Sequence, residues 1–314
     1  MAATTLATGA TPATRPDQRP RGARARHGGM TAWVFALPAL IVYFVFLVYP
    51  AVSSLWFSFT DWDGLSPTYN LVGIDNYRTM PSDPVVVQAA TNNVIWAVVT
   101  IVFPVVIGLA LAVALNGNVR GKAVLRLVFY TPAVLPLVSI ASIWGWLYNP
   151  QYGAINTFLR EIGLDSLAQP WLGQDSTALA ATMVPAIWLR VGFPMLLYLA
   201  ALQGISRDLY EAATVDGANR WQVFRHITMP GLRHAHYITV ALSVIDSFKV
   251  FDLIYAMTYG GPGTATQVMG TWMYFNVFQY NQAGYGTAIA VVITVAAVAV
   301  SIPYVRSQTK EHTA

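Results

Sequence analysis

Apolar residues in this chain come in long runs separated by short polar segments. A helix that crosses a bilayer needs about 20 mainly apolar residues. Six runs reach that length: Ala32 to Phe57, Asn93 to Leu115, Leu127 to Tyr148, Leu179 to Leu202, Tyr237 to Met257 and Gly284 to Val305. The pattern predicts an all-α chain with six membrane spans. Pro38, Pro50, Pro104, Pro132, Pro136, Pro185 and Pro194 fall inside them and predict kinks, tolerated where neighbouring helices satisfy the freed carbonyls.

The most sharply punctuated polar segment, EAATVDGANRWQVFRHITMPGL from Glu211 to Leu232, separates the fourth and fifth runs. Ser206 is placed to cap a short helix over Arg207 to Ala213, with Asp208 in its first turn where the helix dipole favours an anion. Gly217 is placed to end it. Asn219 can start a second short helix carrying Val223, Phe224 and Ile227 at helical spacing, and Pro230 keeps that helix from running unbroken into the fifth apolar run. The segment reads as a helix-turn-helix knob at a membrane surface, suited to docking into a partner.

Composition agrees with the membrane setting. Of 314 residues, 55% are hydrophobic and only 10% charged, against roughly 25% charged in an ordinary soluble domain. Mean hydropathy is +0.50. The absence of cysteine excludes disulfides, thiol catalysis and Cys-ligated metals.

Cations fall on one side of the predicted spans. Arg15, Arg19, Arg21, Arg24 and Arg26 precede the first, Arg120, Lys122 and Arg126 lie between the second and third, Arg207, Arg220, Arg225 and Arg233 between the fourth and fifth, and Arg306 and Lys310 follow the sixth. The opposite loops hold only Arg78 and Arg160 beside Asp61, Asp63, Asp75, Asp83, Glu161, Asp165 and Asp175. The positive-inside rule places both termini and the knob in the cytoplasm. Residues 1–29, rich in Ala, Thr, Pro and Arg, are expected to be a disordered basic tail near anionic lipid, followed by one six-span domain over 30–306 and a short tail over 307–314. The first apolar run starts late and continues long, so it is expected to be a retained anchor rather than a signal peptide.

Few charges enter the spans. Arg190 sits in the fourth, and Asp246, Lys249 and Asp252 follow at i, i+3 and i+6 in the fifth. Each costs roughly 3 kcal/mol at mid-bilayer and must face the bundle interior. One reading is mutual neutralisation, with Lys249 held between the two aspartates on one helix face; the other is a polar wall for a hydrophilic solute. His226, His234 and His236 fit no common metal spacing and read as interfacial. Trp144, Trp146, Tyr148, Trp188, Tyr255 and Tyr259 could stack on sugar rings or form the interfacial aromatic belt. Gly260, Gly261, Pro262 and Gly263 lack the following Lys-Ser/Thr of a phosphate loop and read as a turn.

The Glu211 knob resembles the EAA loop of binding-protein-dependent ABC importer permeases, with Glu211, Ala212, Ala213, Gly217, Ile227 and Pro230 at the family's spacing. SFTDWDG from Ser58, VGIDNY from Val72, RGKAVLR from Arg120, the elements at Tyr152 and Trp171, GFPM from Gly192 and TYGGPGTAT from Thr258 resemble the carbohydrate-uptake branch, in particular the first permease of the maltose importer. The likeness covers nearly the whole chain after the tail. Ser206 stands where relatives often have proline.

That resemblance implies the six-span fold of a type I importer permease with a cytoplasmic coupling helix-turn-helix over 204–234. It implies a second, homologous permease in a heterodimer, two copies of a cytoplasmic ATPase that binds the ATP and magnesium, and an external sugar-binding protein, with no cofactor in this chain, no catalysis of its own and no nucleic-acid partner. The coupling surface would be Glu211, Ala212, Ala213, Asp216, Gly217, Ala218, Phe224 and Pro230. Carried over position by position, the sugar pathway falls on Leu137, Gly192, Met195, Ser243, Asp246, Ser247 and Val250, several of which differ from the maltose importer, so a different hydroxyl pattern in the solute is expected. From the residues alone, a stand-alone ion- or proton-coupled carrier using Asp246, Lys249 and Asp252 is the alternative, and a membrane-embedded enzyme the third, against which no His/Asp/Glu cluster has catalytic spacing.

Overall fold

The structure, a computed structural model, describes residues 28–117 and 119–310. The basic residues Arg15 to Arg26 and the last residues of the C-terminal tail lie outside them. Contacts divide the chain into a unit to Ala51 and a unit from Val52 onward. Helices dominate, and the one β-bridge among the described residues pairs Thr60 with Leu71.

The first membrane helix runs as α1 (Gly28–Tyr43), a π-helical turn (Phe44–Val48) and α2 (Tyr49–Phe57). The π-turn ends two residues before Pro50, and the Tyr49 N–H reaches back to the Phe44 carbonyl. A proline brings no N–H and its ring crowds the carbonyl four residues earlier, so the preceding turn widens. The same offset recurs at Phe224–Thr228 before Pro230, where the Met229 N–H bonds the Phe224 carbonyl. None of the residues in the Phe35–Phe57 window is buried.

A polar lobe with the short α3 (Asp75–Thr79) leads into α4 (Pro84–Asn116), the longest helix. Asp83 caps α4 by accepting the Val85 N–H at 2.9 Å, and Pro84 occupies the first position, where its missing N–H costs nothing. At 1.5 Å per residue these 33 residues reach about 50 Å, enough to define the two ends of the molecule. Next come α5 (Lys122–Tyr130) and α6 (Leu137–Leu147), bent against each other by 103° at Pro136. A peripheral α7 (Ala154–Glu161) precedes α8 (Asp175–Arg190) and α9 (Gly192–Gln203), which together make one long span. The knob holds α10 (Arg207–Val215), α11 (Arg220–Val223) and α12 (Met229–Gly231). Beyond it lie α13 (Arg233–Ser247), α14 (Asp252–Thr258), α15 (Met269–Phe278) and α16 (Ala283–Lys310).

Among the described residues four helices are long and apolar enough to cross a membrane, or five if the bent α5–α6 pair is one span. The run expected as span five is split: helix stops at Ser247 and resumes at Asp252. No proline or glycine marks that break, so periodicity alone reads through it.

Three apolar clusters sit along α4. Near its start, Met80, Val86 and Ala89 meet Met269, Ala288 and Ile289. At mid-length Trp96 joins Ile140, Met183, Ala186, Val250 and Ile254. Toward its end, Val105, Ala112 and Leu115 meet Met195, Tyr198, Leu202 and Leu232. Val98, Val102 and Val106 remain exposed on α4, as expected of a surface solvated by lipid. Gly108 lets α9 approach closely: a Cβ there would stand 2.7 Å from Pro194 Cβ and 2.9 Å from Met195 N.

Candidate functional site

The knob is built from its caps. The Ser206 hydroxyl accepts the Asp208 N–H at 3.2 Å and starts α10. After Val215 the chain reverses at Gly217, whose φ of +73° is a left-handed conformation that glycine adopts without steric cost. Asn219 opens α11 with a reciprocal box: its Oδ1 accepts the Gln222 N–H at 2.9 Å and Gln222 Oε1 accepts the Asn219 N–H at 2.8 Å. The two arms are tied by the hydroxyls of Tyr210 and Thr228, 3.2 Å apart.

The outer surface of this knob is exposed. Val215 is 88% and Trp221 65% accessible, with Trp221 stacked on Phe224 at 5.7 Å. Glu211, Ala212, Asp216, Gly217 and Pro230 are exposed, while Ala213, Ala218 and Phe224 are half-buried. Glu211 also lines a cavity of about 500 Å³ with Arg207, Tyr210, Gln203 and Asn116, at the far end of α4 from Asp83.

The second feature is a cavity of about 540 Å³ at the break in span five. Leu137, Ser243, Asp246 and Val250 line it, together with the charged Arg190, Lys249 and Asp252. Gly192, Met195 and Ser247 do not. Gly192 is packed where a Cβ would meet the Phe129 carbonyl at 2.7 Å, Met195 is wholly buried in the α4–α9 cluster, and the buried Ser247 donates its hydroxyl to the Val244 carbonyl at 2.7 Å. Phe193 of the GFPM motif also lines the cavity, as do Trp96, Leu242 and Phe251, which nothing in the sequence had singled out. Only their registry with distant helices brings them there.

Asp246, Lys249 and Asp252 do not share one helix face, because the helix is interrupted between the first and the last. Lys249 is not held between the aspartates: among the described residues the one ion pair within 4.0 Å is Arg78–Asp75, at 3.4 Å. Asp246 is the carboxylate whose charge acts on Arg190 across the cavity. Asp246, Lys249 and Asp252 are exposed in the isolated chain. Charges at membrane depth require a polar partner or a wet cavity.

Of the histidines, His226 sits 2.9 Å from the Gln222 carbonyl and His236 2.8 Å from the Tyr198 hydroxyl. Among the aromatic residues, Trp144 packs edge-on against Trp188 at 6.0 Å and tilts over Tyr148 at 5.5 Å, whereas Tyr255 and Tyr259 belong to a separate cluster outward from the cavity.

The chain thus joins several helices long and apolar enough to span a membrane to a capped knob at one end of α4 and a charged cavity at the break between α13 and α14. The family model for the binding-protein-dependent transport system inner membrane component matches residues 104–309, and the chain belongs to that family. It is 38% identical over 272 residues to the probable ABC transporter permease protein YurN of Bacillus subtilis, covering 86% of this chain and 93% of that one. It is 32% identical over 274 residues to the trehalose/maltose transport system permease protein MalF of Thermococcus litoralis, covering 87% and 92%. With the diacetylchitobiose uptake system permease protein NgcF of Streptomyces coelicolor it shares 31% over 308 residues, covering 92% and 87%. In fold it is similar to a chain of a bacterial ABC transporter that imports the acidic polysaccharide alginate, with a TM-score of 0.79 at 23% identity, covering 90% of this chain and 96% of that one. The protein is therefore an ABC importer permease and not a stand-alone carrier.

Proposed function

We propose that this permease takes up a sugar or a related polyol-like solute, in a heterodimer with a second homologous permease, fed by an external sugar-binding protein and driven by two copies of a cytoplasmic ATPase. Relatives named for trehalose/maltose and diacetylchitobiose uptake support the solute class. Both termini and the knob face the cytoplasm in this reading, since Arg207, Arg220, Arg225 and Arg233 gather at the knob's end of α4 and Asp61, Asp75 and Asp83 at the other. ATP and magnesium belong to the ATPase, and this chain performs no catalysis.

One observation carries the mechanism: each arm of the knob joins the cavity through a single helix. From the cavity residues Phe193 and Pro194, α9 runs directly to Ser206. From Leu232, α13 runs back to Ser243 and Asp246 in the cavity wall. Twelve and 15 residues at 1.5 Å each make rigid levers of about 18 and 22 Å. A partner that grips Glu211, Ala212, Ala213, Asp216, Gly217, Ala218, Phe224 and Pro230 would tilt both levers and re-shape the cavity. ATP can shift the two arrangements only by its different affinity for them. The exposed charges at the break supply the second argument, because a partner permease facing them would complete a wet pathway and remove them from lipid.

The test is Glu211→Ala in the assembled transporter. The expected result is normal membrane insertion with loss of coupling between ATP hydrolysis and uptake; normal coupled uptake in that variant would refute the proposal.

A further inference from the structure

Outward from the cavity, Phe251, Tyr255 and Tyr259 follow at intervals of four along the chain, Tyr255 within α14, Phe251 just before its first residue and Tyr259 just after its last. Phe251 is part of the cavity wall. Its ring stacks on Tyr255 with centroids 5.2 Å apart and planes 19° apart, and Tyr255 meets Tyr259 at 4.9 Å. Across the following loop, Tyr274 closes on Tyr255 at 5.2 Å, and the buried Phe275 backs Tyr259 at 4.8 Å. The result is a continuous aromatic surface from the cavity wall toward the end of α4 opposite the knob.

Two features separate this surface from ordinary core packing. Its front is accessible: Tyr259 is 48% exposed, and Phe251, Tyr255 and Tyr274 are all partly exposed. Its last ring is held by backbone in an unfavourable region. Tyr259 has φ +55°, uncommon for a residue with a side chain and sustained only where surrounding structure imposes it. Here the Tyr259 N–H bonds the Ile254 carbonyl at 3.1 Å, and the Tyr259 hydroxyl accepts a hydrogen bond from the Gln279 amide. The rings are thus pre-positioned, which lowers the entropy cost of binding.

We propose that Phe251, Tyr255 and Tyr259 form a stacking track for pyranose rings, carrying a sugar between the outer mouth and the charged cavity. This rests on the sugar-uptake reading. The C–H face of a pyranose is apolar and lies flat on an aromatic ring, while its edge hydroxyls find the tyrosine hydroxyls and, at the inner end, Asp246 and Lys249. Ring-to-ring steps near 5 Å let one sugar unit pass to the next ring without full release.

The complete transporter in proteoliposomes, with both permeases, ATPase and binding protein, is offered maltose, trehalose and diacetylchitobiose. For whichever of these the native complex carries, Tyr255→Leu and Tyr259→Leu are expected to raise the half-saturating concentration about tenfold, and the Phe variants to stay within about twofold. Unchanged half-saturation in both Leu variants, or equal effects of Leu and Phe, would overturn the track. Should it carry none of the three, the assay is repeated with other mono- and oligosaccharides and polyols, and failure across that panel would sink the sugar reading, and the track with it. Should the Leu variants not assemble, the chain's lack of cysteine allows Tyr259→Cys to be labelled with a thiol reagent. Slowing of that labelling by the carried sugar supports the track; labelling indifferent to sugar refutes it.

Discussion

Asn92 of α4 donates both hydrogens of its buried side-chain amide to backbone carbonyls far along the chain, to Ala265 at 2.9 Å and to Gln267 at 2.7 Å. Its neighbour Asn93 accepts the Met269 N–H at 2.7 Å. Together they fasten the loop between α14 and α15 to the central helix, and with it the backbone that orients Tyr259. Replacing Asn92 by leucine leaves the buried Gln267 carbonyl and the half-buried Ala265 carbonyl without that donor, at roughly 1–3 kcal/mol for the buried one. The expected outcome is a lower thermal midpoint for the purified transporter, with increased hydrogen exchange confined to 259–269.

The close approach of α4 and α9 depends on Gly108. In Gly108→Ala the new Cβ meets Pro194 Cβ at 2.7 Å, backed by Met195 N at 2.9 Å, and neither can retreat without moving the helix. A loss of about 1–3 kcal/mol is expected from such overpacking. Gly117→Ala is the control, since its Cβ would meet the Ala114 carbonyl at an ordinary 3.7 Å. Thermal unfolding of the two variants in detergent should separate them.

Lys249 lines the cavity, and among the described residues it has no ion-pair partner within 4.0 Å. Lys249→Leu is expected to preserve insertion and to reduce uptake more than tenfold, the scale of a lost charged hydrogen bond of about 1.5–3 kcal/mol. Adding Asp252→Asn should not restore uptake. Rescue by the double variant in a transport assay would show instead that the two residues form a structural pair.

Acid should loosen the lobe near Asp63 before the helices. The Ser66 hydroxyl, then the Ser66 and Leu65 N–H groups, hold the Asp63 carboxyl down from 3.8 to about 2. A depressed carboxylate stabilises its fold above the unfolded value and loses that contribution as pH falls through the folded one. The window therefore runs from near pH 3.8 down to about 2. Amide exchange at Leu65 and Ser66 should rise across that window in the native chain and be fast at every pH in Asp63→Ala.

How far the sequence was legible varies from element to element. Ser206, Gly217 and Asn219 act on backbone groups within a few residues of themselves, so their caps and turn could be read directly, and the structure has them in those roles, adding Gln222 as the second half of the Asn219 box. Long apolar runs likewise report transfer into lipid, a property of the segment itself. The break at Phe248–Phe251 was not legible, because its residues include no breaker and its unwinding depends on neighbours. Val250 of that stretch belongs to the cluster that contains Trp96, Ile140 and Met183.

By itself the sequence determined the membrane class, the knob between the fourth and fifth runs, the segregation of cations from carboxylates and the family likeness. All of these rest on short-range interactions or on solvent preference summed over a segment. Only the tertiary structure decided which side of each helix meets the pathway. Asp246 and Ser243 line the cavity, while Ser247, adjacent to Asp246, is buried. It also joined Tyr255 to Tyr274 across a loop. A helix in lipid is apolar around most of its circumference, so its own pattern does not set its rotation; packing against partners distant in the chain does.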